Sequence, residues 1–282
     1  MDNSKVHFNL NLSEHGYIPS EEINTVIQLA LYLEKPLLIE GPPGTGKTSL
    51  ALSVAKSLNL DLIRIQCYEG IDSIQVIGEF NYKKQLLQLQ KNHLDKSESE
   101  DIFSKEFFIP RPLYKSFTSP DRVVLLIDEL DAADEEFTAF LLEALGEGQI
   151  TIPEFGTIKS KKIPHVFLTS NKRQELPEAL LRRCLYIYID YPNKTREEEI
   201  VRYHCPVNDN LLNNLVRIVQ EIRKLDLRKK PSISESIDWM KSLMMLKVDN
   251  ITREVIDRTI NVVIKHQEDI NLVKENLSEI IQ

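Results

Sequence analysis

Gly41-Pro42-Pro43-Gly44-Thr45-Gly46-Lys47-Thr48 is the stretch on which the reading of this chain turns. It satisfies the pattern GxxxxGK[ST], and its flanks supply the context the pattern requires: the apolar run Leu37-Leu38-Ile39 before it and a helical stretch over about 47–58 that it opens. The chemistry lies in the backbone. Glycines let consecutive N–H groups turn inward around phosphate oxygens at the positive end of a helix. Lys47 would reach the β- and γ-phosphates, and the Thr48 hydroxyl would ligate Mg2+. The bland alternative is a glycine-rich turn before an ordinary helix, which the flanking strand and helix make rarer as a chance match. Gly41 to Thr48, with Leu50 further into the helix, are therefore the expected nucleotide contacts.

Outward from this stretch, short apolar runs alternate with helical patterns. Leu37-Leu38-Ile39, Leu62-Ile63-Arg64-Ile65, Val123-Val124-Leu125-Leu126-Ile127, His165-Val166-Phe167-Leu168-Thr169 and Leu185-Tyr186-Ile187-Tyr188-Ile189 read as strands. The third is apolar throughout, as a buried parallel strand is. Helical stretches fall at about 47–58, 134–146 and 177–182, so the alternation predicts an α/β fold, a parallel sheet with helices on both faces, to which the 41–48 motif adds the P-loop. Residues 92–106 are polar and acidic and read as an exposed loop, and residues 149–163 as a β-hairpin turning near Phe155-Gly156. All nine glycines lie at or before Gly156, and beyond it Leu211, Leu212, Leu215, Val216, Val219 and Ile222 recur at helical spacing. The expected organisation is a nucleotide-binding α/β domain over 1–192, with an N-terminal strand or helix and the hairpin, followed by a smaller all-helical lid over 193–282.

Composition narrows the function classes. With 282 residues, 42% hydrophobic and 28% charged, the chain has the makeup of an ordinary globular protein and not of a collagen-like, disordered or low-complexity one. No apolar run approaches the roughly 18 residues needed to cross a bilayer, and Met1-Asp2-Asn3-Ser4-Lys5-Val6-His7 lacks the pattern of a secretory signal, so a cytoplasmic location is expected. Cys67, Cys184 and Cys205 are far apart and form no zinc-ligand spacing, and the six histidines are scattered. Net charge is −8, and residues 191–282 are neutral with 15 basic and 15 acidic side chains. The excess of acid therefore falls wholly in residues 1–190, which argues against nucleic acid as the primary partner.

A second stretch completes the chemistry. Leu125-Leu126-Ile127-Asp128-Glu129 is an apolar strand that delivers two carboxylates at its C-terminal end, where open α/β sheets bind ligands. Asp128 fits the acidic partner of Mg2+, and Glu129 the base that orients and activates water. Alone, two acids after a strand are more often a solvated turn; the phosphate loop in the same chain reverses that reading. The Asn-Lys-x-Asp loop that reads guanine is incomplete, because Asn171-Lys172-Arg173 is followed by Gln174, so ATP is the expected nucleotide.

The order Gly41–Thr48, Asp128-Glu129, Asn171, then Arg182-Arg183 ahead of a last strand and a helical end resembles an AAA+ ATPase. The resemblance implies that Asn171 is the sensor-1 residue positioning water, and that one arginine of Leu180-Leu181-Arg182-Arg183-Cys184 is the finger inserted into a neighbouring subunit's site. Arg183 matches the last arginine of the family's LLxRF pattern, with Cys184 in place of the phenylalanine. A solvated helix end is the plain reading of both arginines, and a turn-forming asparagine that of Asn171. Within AAA+ proteins, Ile77-Gly78-Glu79-Phe80-Asn81-Tyr82, Pro110-Arg111-Pro112-Leu113 and Gly148-Gln149-Ile150-Thr151-Ile152-Pro153 resemble the MoxR family. Ile65-Gln66-Cys67-Tyr68-Glu69-Gly70, Arg183-Cys184-Leu185-Tyr186 and Glu235-Ser236-Ile237-Asp238-Trp239 resemble its CoxD-like branch.

This resemblance implies a homo-oligomeric, hexameric ring that hydrolyses ATP with Mg2+ to remodel a protein client. The client would be a molybdenum enzyme such as carbon-monoxide dehydrogenase, whose metal centre is completed with the help of a von Willebrand factor A domain protein. Two departures stand out. Asp131-Ala132 lies where many MoxR proteins carry Asn-Arg, and the usual sensor-2 arginine falls near Ser234-Glu235, an acid that cannot bind a γ-phosphate. Arg228, Lys229 or Lys230 are the candidate substitutes, although a solvated loop is the plainer reading of those three. Two other functions remain open: a nucleic-acid remodeller contacting its substrate through Lys159-Ser160-Lys161-Lys162, and a nucleotide-gated scaffold with little turnover.

Overall fold

The computed structural model describes residues 8–95, 102–152 and 156–281. In chain order it runs α1 (Glu21–Leu33), β1 (Leu37–Glu40), α2 (Lys47–Ser57), β2 (Leu62–Gln66), α3 (Ser73–Ile77), β3 (Gly78–Phe80), α4 (Tyr82–Asp95), β4 (Phe108–Pro110), α5 (Pro112–Thr118) and β5 (Val124–Asp128). There follow α6 (Glu135–Glu147), β6 (Gln149–Ile152), β7 (Gly156–Lys159), β8 (His165–Ser170), α7 (Glu178–Leu181) and β9 (Leu185–Tyr188). The described chain beyond is helical: α8 (Lys194–His204), α9 (Asp209–Lys224), α10 (Ile233–Met245), α11 (Arg253–Val263), α12 (Gln267–Glu275) and α13 (Leu277–Ile281).

The five expected strands are the five strands of one sheet, in the order β2-β5-β8-β1-β9. The β2–β5, β5–β8 and β8–β1 pairs are parallel, with Ile65 opposite Ile127, Ile127 opposite Leu168, and Ile39 opposite Thr169. Every residue of β5 and β8 is buried, which explains their continuous apolar runs: a central parallel strand is covered on both faces. Leu38, Leu125, Ile127 and Leu168 join Leu113 and Phe117 of α5 and Phe137 and Leu141 of α6 in one core. Leu37, Ile39, Leu126 and Phe167, on the opposite face, are equally buried.

The chain divides into two compact units. One comprises the residues up to Leu10, Glu21–Glu40 and Val54–Ile187; the other comprises Asn11–Ser20, Gly41–Ser53 and the residues from Tyr188 onward. The second has its own core, in which Leu211, Leu215, Val219 and Ile222 of α9 meet Trp239 and Leu243 of α10 and Ile256 and Ile260 of α11. Side chains of Asn193, Asn208 and Thr252 accept hydrogen bonds from Arg196, Leu211 and Val255 N–H at the starts of α8, α9 and α11, satisfying donors that a helix leaves orphaned.

The segment between β2 and β5 differs from expectation. Polarity predicts a loop over residues 92–106, yet α4 continues to Asp95 and Lys105–Phe107 form a 3-10 turn; residues 96–101 lie outside the described residues. Asn81 caps α4, its Oδ1 accepting Lys84 N–H at 3.0 Å, and the Lys/Gln/Leu composition behind it carries the helix past the point where polarity alone implies a loop. The hairpin is present as β6 and β7, with Ile152 opposite Gly156. Its expected turn at Phe155 lies outside the described residues.

Candidate functional site

The phosphate loop belongs to the second unit, and its glycines are there for geometry. Gly41, Gly44 and Gly46 have φ of +152°, +77° and +95°, a region that side chains rarely adopt. A Cβ on Gly41 would stand 2.0 Å from the Ile189 carbonyl oxygen, and one on Gly44 would stand 2.2 Å from Ser232 Oγ. Thr45 Oγ1 donates to the Pro42 carbonyl at 2.9 Å. Lys47 is buried, its Nζ donating to the carbonyls of Gly41 at 2.7 Å and Pro42 at 2.8 Å, so the ammonium lies folded along the loop. Leu50 is fully buried, and its N–H donates to Gly46 O at 2.9 Å as α2 begins. The Tyr17 ring lies 3.4 Å from where a Cβ on Gly46 would stand, and burial pushes its hydroxyl up to about 12 against the opposing pull of Arg196, so it stays neutral.

The first unit gathers the carboxylates at the C-terminal ends of β5 and β8. Asp128 is buried; its Oδ1 accepts from Thr169 Oγ1 at 2.5 Å and its Oδ2 from Arg64 Nη2 at 2.5 Å. Glu129 takes a left-handed backbone, φ 55° and ψ 47°, a strain of order 1 kcal/mol for a residue with a side chain. Its N–H is held by Thr169 Oγ1 at 2.8 Å, so one hydroxyl ties both acids to β8. The Glu129 side chain is 39% exposed and lies 3.6 Å from Arg173. A carboxylate that is accessible yet fixed at its backbone is what a general base needs.

Asp131, to which the sequence pattern assigns no role, completes this cluster. It is buried on the 3-10 turn Leu130–Ala132, and its two carboxylate oxygens accept the N–H groups of Asn171 at 3.0 Å and Arg173 at 2.9 Å. It thereby clamps the loop after β8 and sets where half-buried Asn171 stands. The one available signal was an acid three residues beyond Asp128 in the apolar setting Leu130-Asp131-Ala132-Ala133. Behind the cluster, Cys67 N–H donates to Asp128 O at 2.8 Å; burial, then the charges of Asp128, Asp131 and Glu129, push its thiol up to about 12.

The remaining residues fall elsewhere. Arg182 pairs with Glu178 one turn away at 3.1 Å, whereas Arg183 is exposed, lies over Gly146 of α6, and forms no ion pair among the described residues. Glu235, at the expected sensor-2 position, is engaged in a capping box: its carboxylate accepts Ser232 N–H at 2.9 Å and the Ser232 hydroxyl. The backbone N–H groups of Arg228 and Lys229 donate to Asp269, and the side chains of Arg228, Lys229 and Lys230 are exposed. On the hairpin side, Lys159 and Lys161 are exposed and Lys162 pairs with Asp121 at 2.9 Å.

Chemically, a loop with three left-handed glycines at the start of α2 is of the kind that presents N–H groups to the oxygens of a polyphosphate. Asp128, in the first unit, offers carboxylate oxygens and Thr48, in the second, a hydroxyl oxygen, each of the donor type that a hard divalent cation takes. No helix among the described residues is long and apolar enough to cross a membrane.

Residues 36–184, more than half of the chain, match the family described as AAA domain (dynein-related subfamily). The gas vesicle ATPase GvpN1 of Halobacterium salinarum is 27% identical over 228 residues, covering 76% of this chain and 65% of the relative, so the chain spans just under two thirds of that protein's length. The gas vesicle ATPase GvpN of Haloferax mediterranei is 25% identical over 255 residues, covering 86% and 72%. In fold, the chain is similar to a point mutant of Thermotoga maritima RuvB, with a TM-score of 0.55 at 18% identity over 90% of this chain and 72% of that one.

Proposed function

We propose, for a chain that belongs to the AAA domain family (dynein-related subfamily) and is an ATPase, that ATP turnover drives remodelling of a protein client in a homo-oligomeric ring. The supporting observation is Glu129, accessible at the end of a buried strand and tied at its backbone to β8 through Thr169, with Asn171 set beside that strand end by Asp131. In this reading Gly41 to Thr48 and Leu50 hold ATP, Lys47 contacts its β- and γ-phosphates, and Thr48 and Asp128 hold Mg2+, which would neutralise phosphate charge. Glu129 takes the proton of the attacking water, and Asn171 orients that water. Arg183 serves the neighbouring protomer's site, a role to which its lack of an ion partner among the described residues is suited. Residues 193–282 act as a lid.

The finer assignment is a MoxR-type chaperone of the CoxD-like branch, working in the cytoplasm with a von Willebrand factor A protein on a molybdenum hydroxylase such as carbon-monoxide dehydrogenase. It rests on the sequence resemblance alone. The relatives' names favour a second client, a gas vesicle component. Glu129→Gln distinguishes them. The variant is expected to bind ATP, to lose about 100-fold or more of its turnover, and to retain its client in an ATP-dependent complex. Co-purification of a molybdenum hydroxylase subunit supports the first client and of a gas vesicle protein the second; nucleic acid alone overturns a protein client.

A further inference from the structure

Glu197 of α8 is completely buried, and Arg223 of α9 is 7% exposed. Their pairing is bidentate, Nη1 to Oε2 at 2.6 Å and Nη2 to Oε1 at 2.7 Å. Gln220 Nε2 donates to Glu197 Oε2 at 2.7 Å, and Ser236 Oγ donates to Oε1 at 2.6 Å. Arg223 Nε donates to the Pro231 carbonyl at 2.7 Å, and the guanidinium lies 5.2 Å from the Tyr191 ring. A charge pair this deep adds little stability over apolar side chains of the same volume, so its use is to be sought in what it holds in place.

What it holds is the start of α10. Pro231 and Ser236, the two points that the pair grips, bracket Ser232 and Ser234. These two serines meet the phosphate loop: Ser232 Oγ occupies the space where a Cβ on Gly44 would stand, and Ser234 Oγ donates to the Gly44 carbonyl at 3.3 Å. The acid next to them, Glu235, is turned inward by the capping box. Two serine side chains thus meet the loop at the position where the family resemblance implies an arginine.

We infer that Glu197 and Arg223 are positioning residues for the nucleotide site: the buried pair sets the start of α10 against Gly44, so that α10 responds when nucleotide fills the loop. The inference rests on nucleotide binding at residues 41–48 and adds the route by which the helical segment senses it. The molecule carries its own reporter. Trp239, the single tryptophan, lies fully buried in α10 with Nε1 donating to Thr259 Oγ1 at 2.8 Å.

The test replaces the pair by apolar residues, Glu197→Leu with Arg223→Met, in the full chain. Thermal midpoint, affinity for a fluorescent ATP analogue, and Trp239 emission with and without ATP are read in parallel. The native protein is expected to change its Trp239 emission on saturation. The double variant is expected to remain folded with a lower midpoint, because Gln220, Ser236 and the Pro231 carbonyl lose partners, to lose that emission change, and to bind the analogue about 10-fold more weakly. A folded double variant with native affinity and native emission response overturns the inference, as does a native protein saturated by the analogue without any emission change. Should the double variant not fold, Ser236→Ala, which removes one hydroxyl and no charge, takes its place. It is expected to blunt the emission response, and an unaltered response overturns the inference equally.

Discussion

Asp131 shows how much one buried side chain can do without touching a substrate. Its carboxylate accepts the N–H groups of both Asn171 and Arg173, and Lys172 between them has a left-handed φ of 61°. Asp131→Ala takes the acceptor away from two backbone donors and is expected to lower stability by about 2–4 kcal/mol, read from urea denaturation. Asp131→Asn, which keeps an acceptor oxygen, is expected to cost less, and a smaller loss for Ala than for Asn defeats this account. Cys67 is set by its surroundings in the same way. With its thiol pushed up to about 12, almost no thiolate exists at pH 8, so native-state alkylation of Cys67 is expected to be far slower than after unfolding. Mass spectrometry of the labelled peptide checks it, and rapid native labelling contradicts the burial described. Neither effect was legible in the sequence, because each depends on atoms brought in by another strand.

At the scale of elements, β8 carries a pH dependence into the sheet. His165 opens this strand, and burial, with the Arg122 cation beside it, pushes its pKa from 6.5 down to about 4 while Glu34 pulls the other way. Between those values the unfolded chain takes up a proton that the folded chain refuses. Stability from this group is therefore complete above about pH 6.5 and lost as pH falls toward 4, with a slope of at most about 1.4 kcal/mol per pH unit. His165→Phe is expected to flatten that part of the urea-midpoint profile; an unchanged profile assigns the acid sensitivity elsewhere. Element types were largely readable: all five apolar runs are strands, since an apolar run in a covered parallel sheet has little else to become. The α4 region was not. Tyr82, Leu86 and Leu87 of that helix face outward while polar Gln85 is buried, so its apolar side chains do not mark the buried face as they do in an ordinary amphipathic helix.

At the scale of the whole molecule, the proposed ring makes activity depend on assembly. ATP hydrolysis per protomer is expected to rise steeply with protein concentration, and Arg183→Ala to reduce turnover about 1,000-fold or more while ATP still binds. Arg182→Ala, which breaks an exposed i,i+4 pair with Glu178, is expected to leave turnover within about two-fold. Concentration series of the three proteins decide it: equal losses for both arginines, or full activity of Arg183→Ala in a ring, remove Arg183 from the proposed role.

By itself the sequence determined the kind of chain this is. A glycine-spaced loop before a lysine, and two acids at the end of an unbroken apolar strand, are local patterns whose conformations follow from backbone sterics and burial, so residues 41–48 and 128–129 could be read without a fold. Only the tertiary structure decided which residues support them. Asp131 reaches the loop after β8, Thr169 ties Asp128 and Glu129 together, and Glu197 pairs with Arg223 twenty-six positions away. Hydrogen bonds of this kind join residues that no spacing rule connects, and a buried polar group reveals its purpose only when its partner is in place.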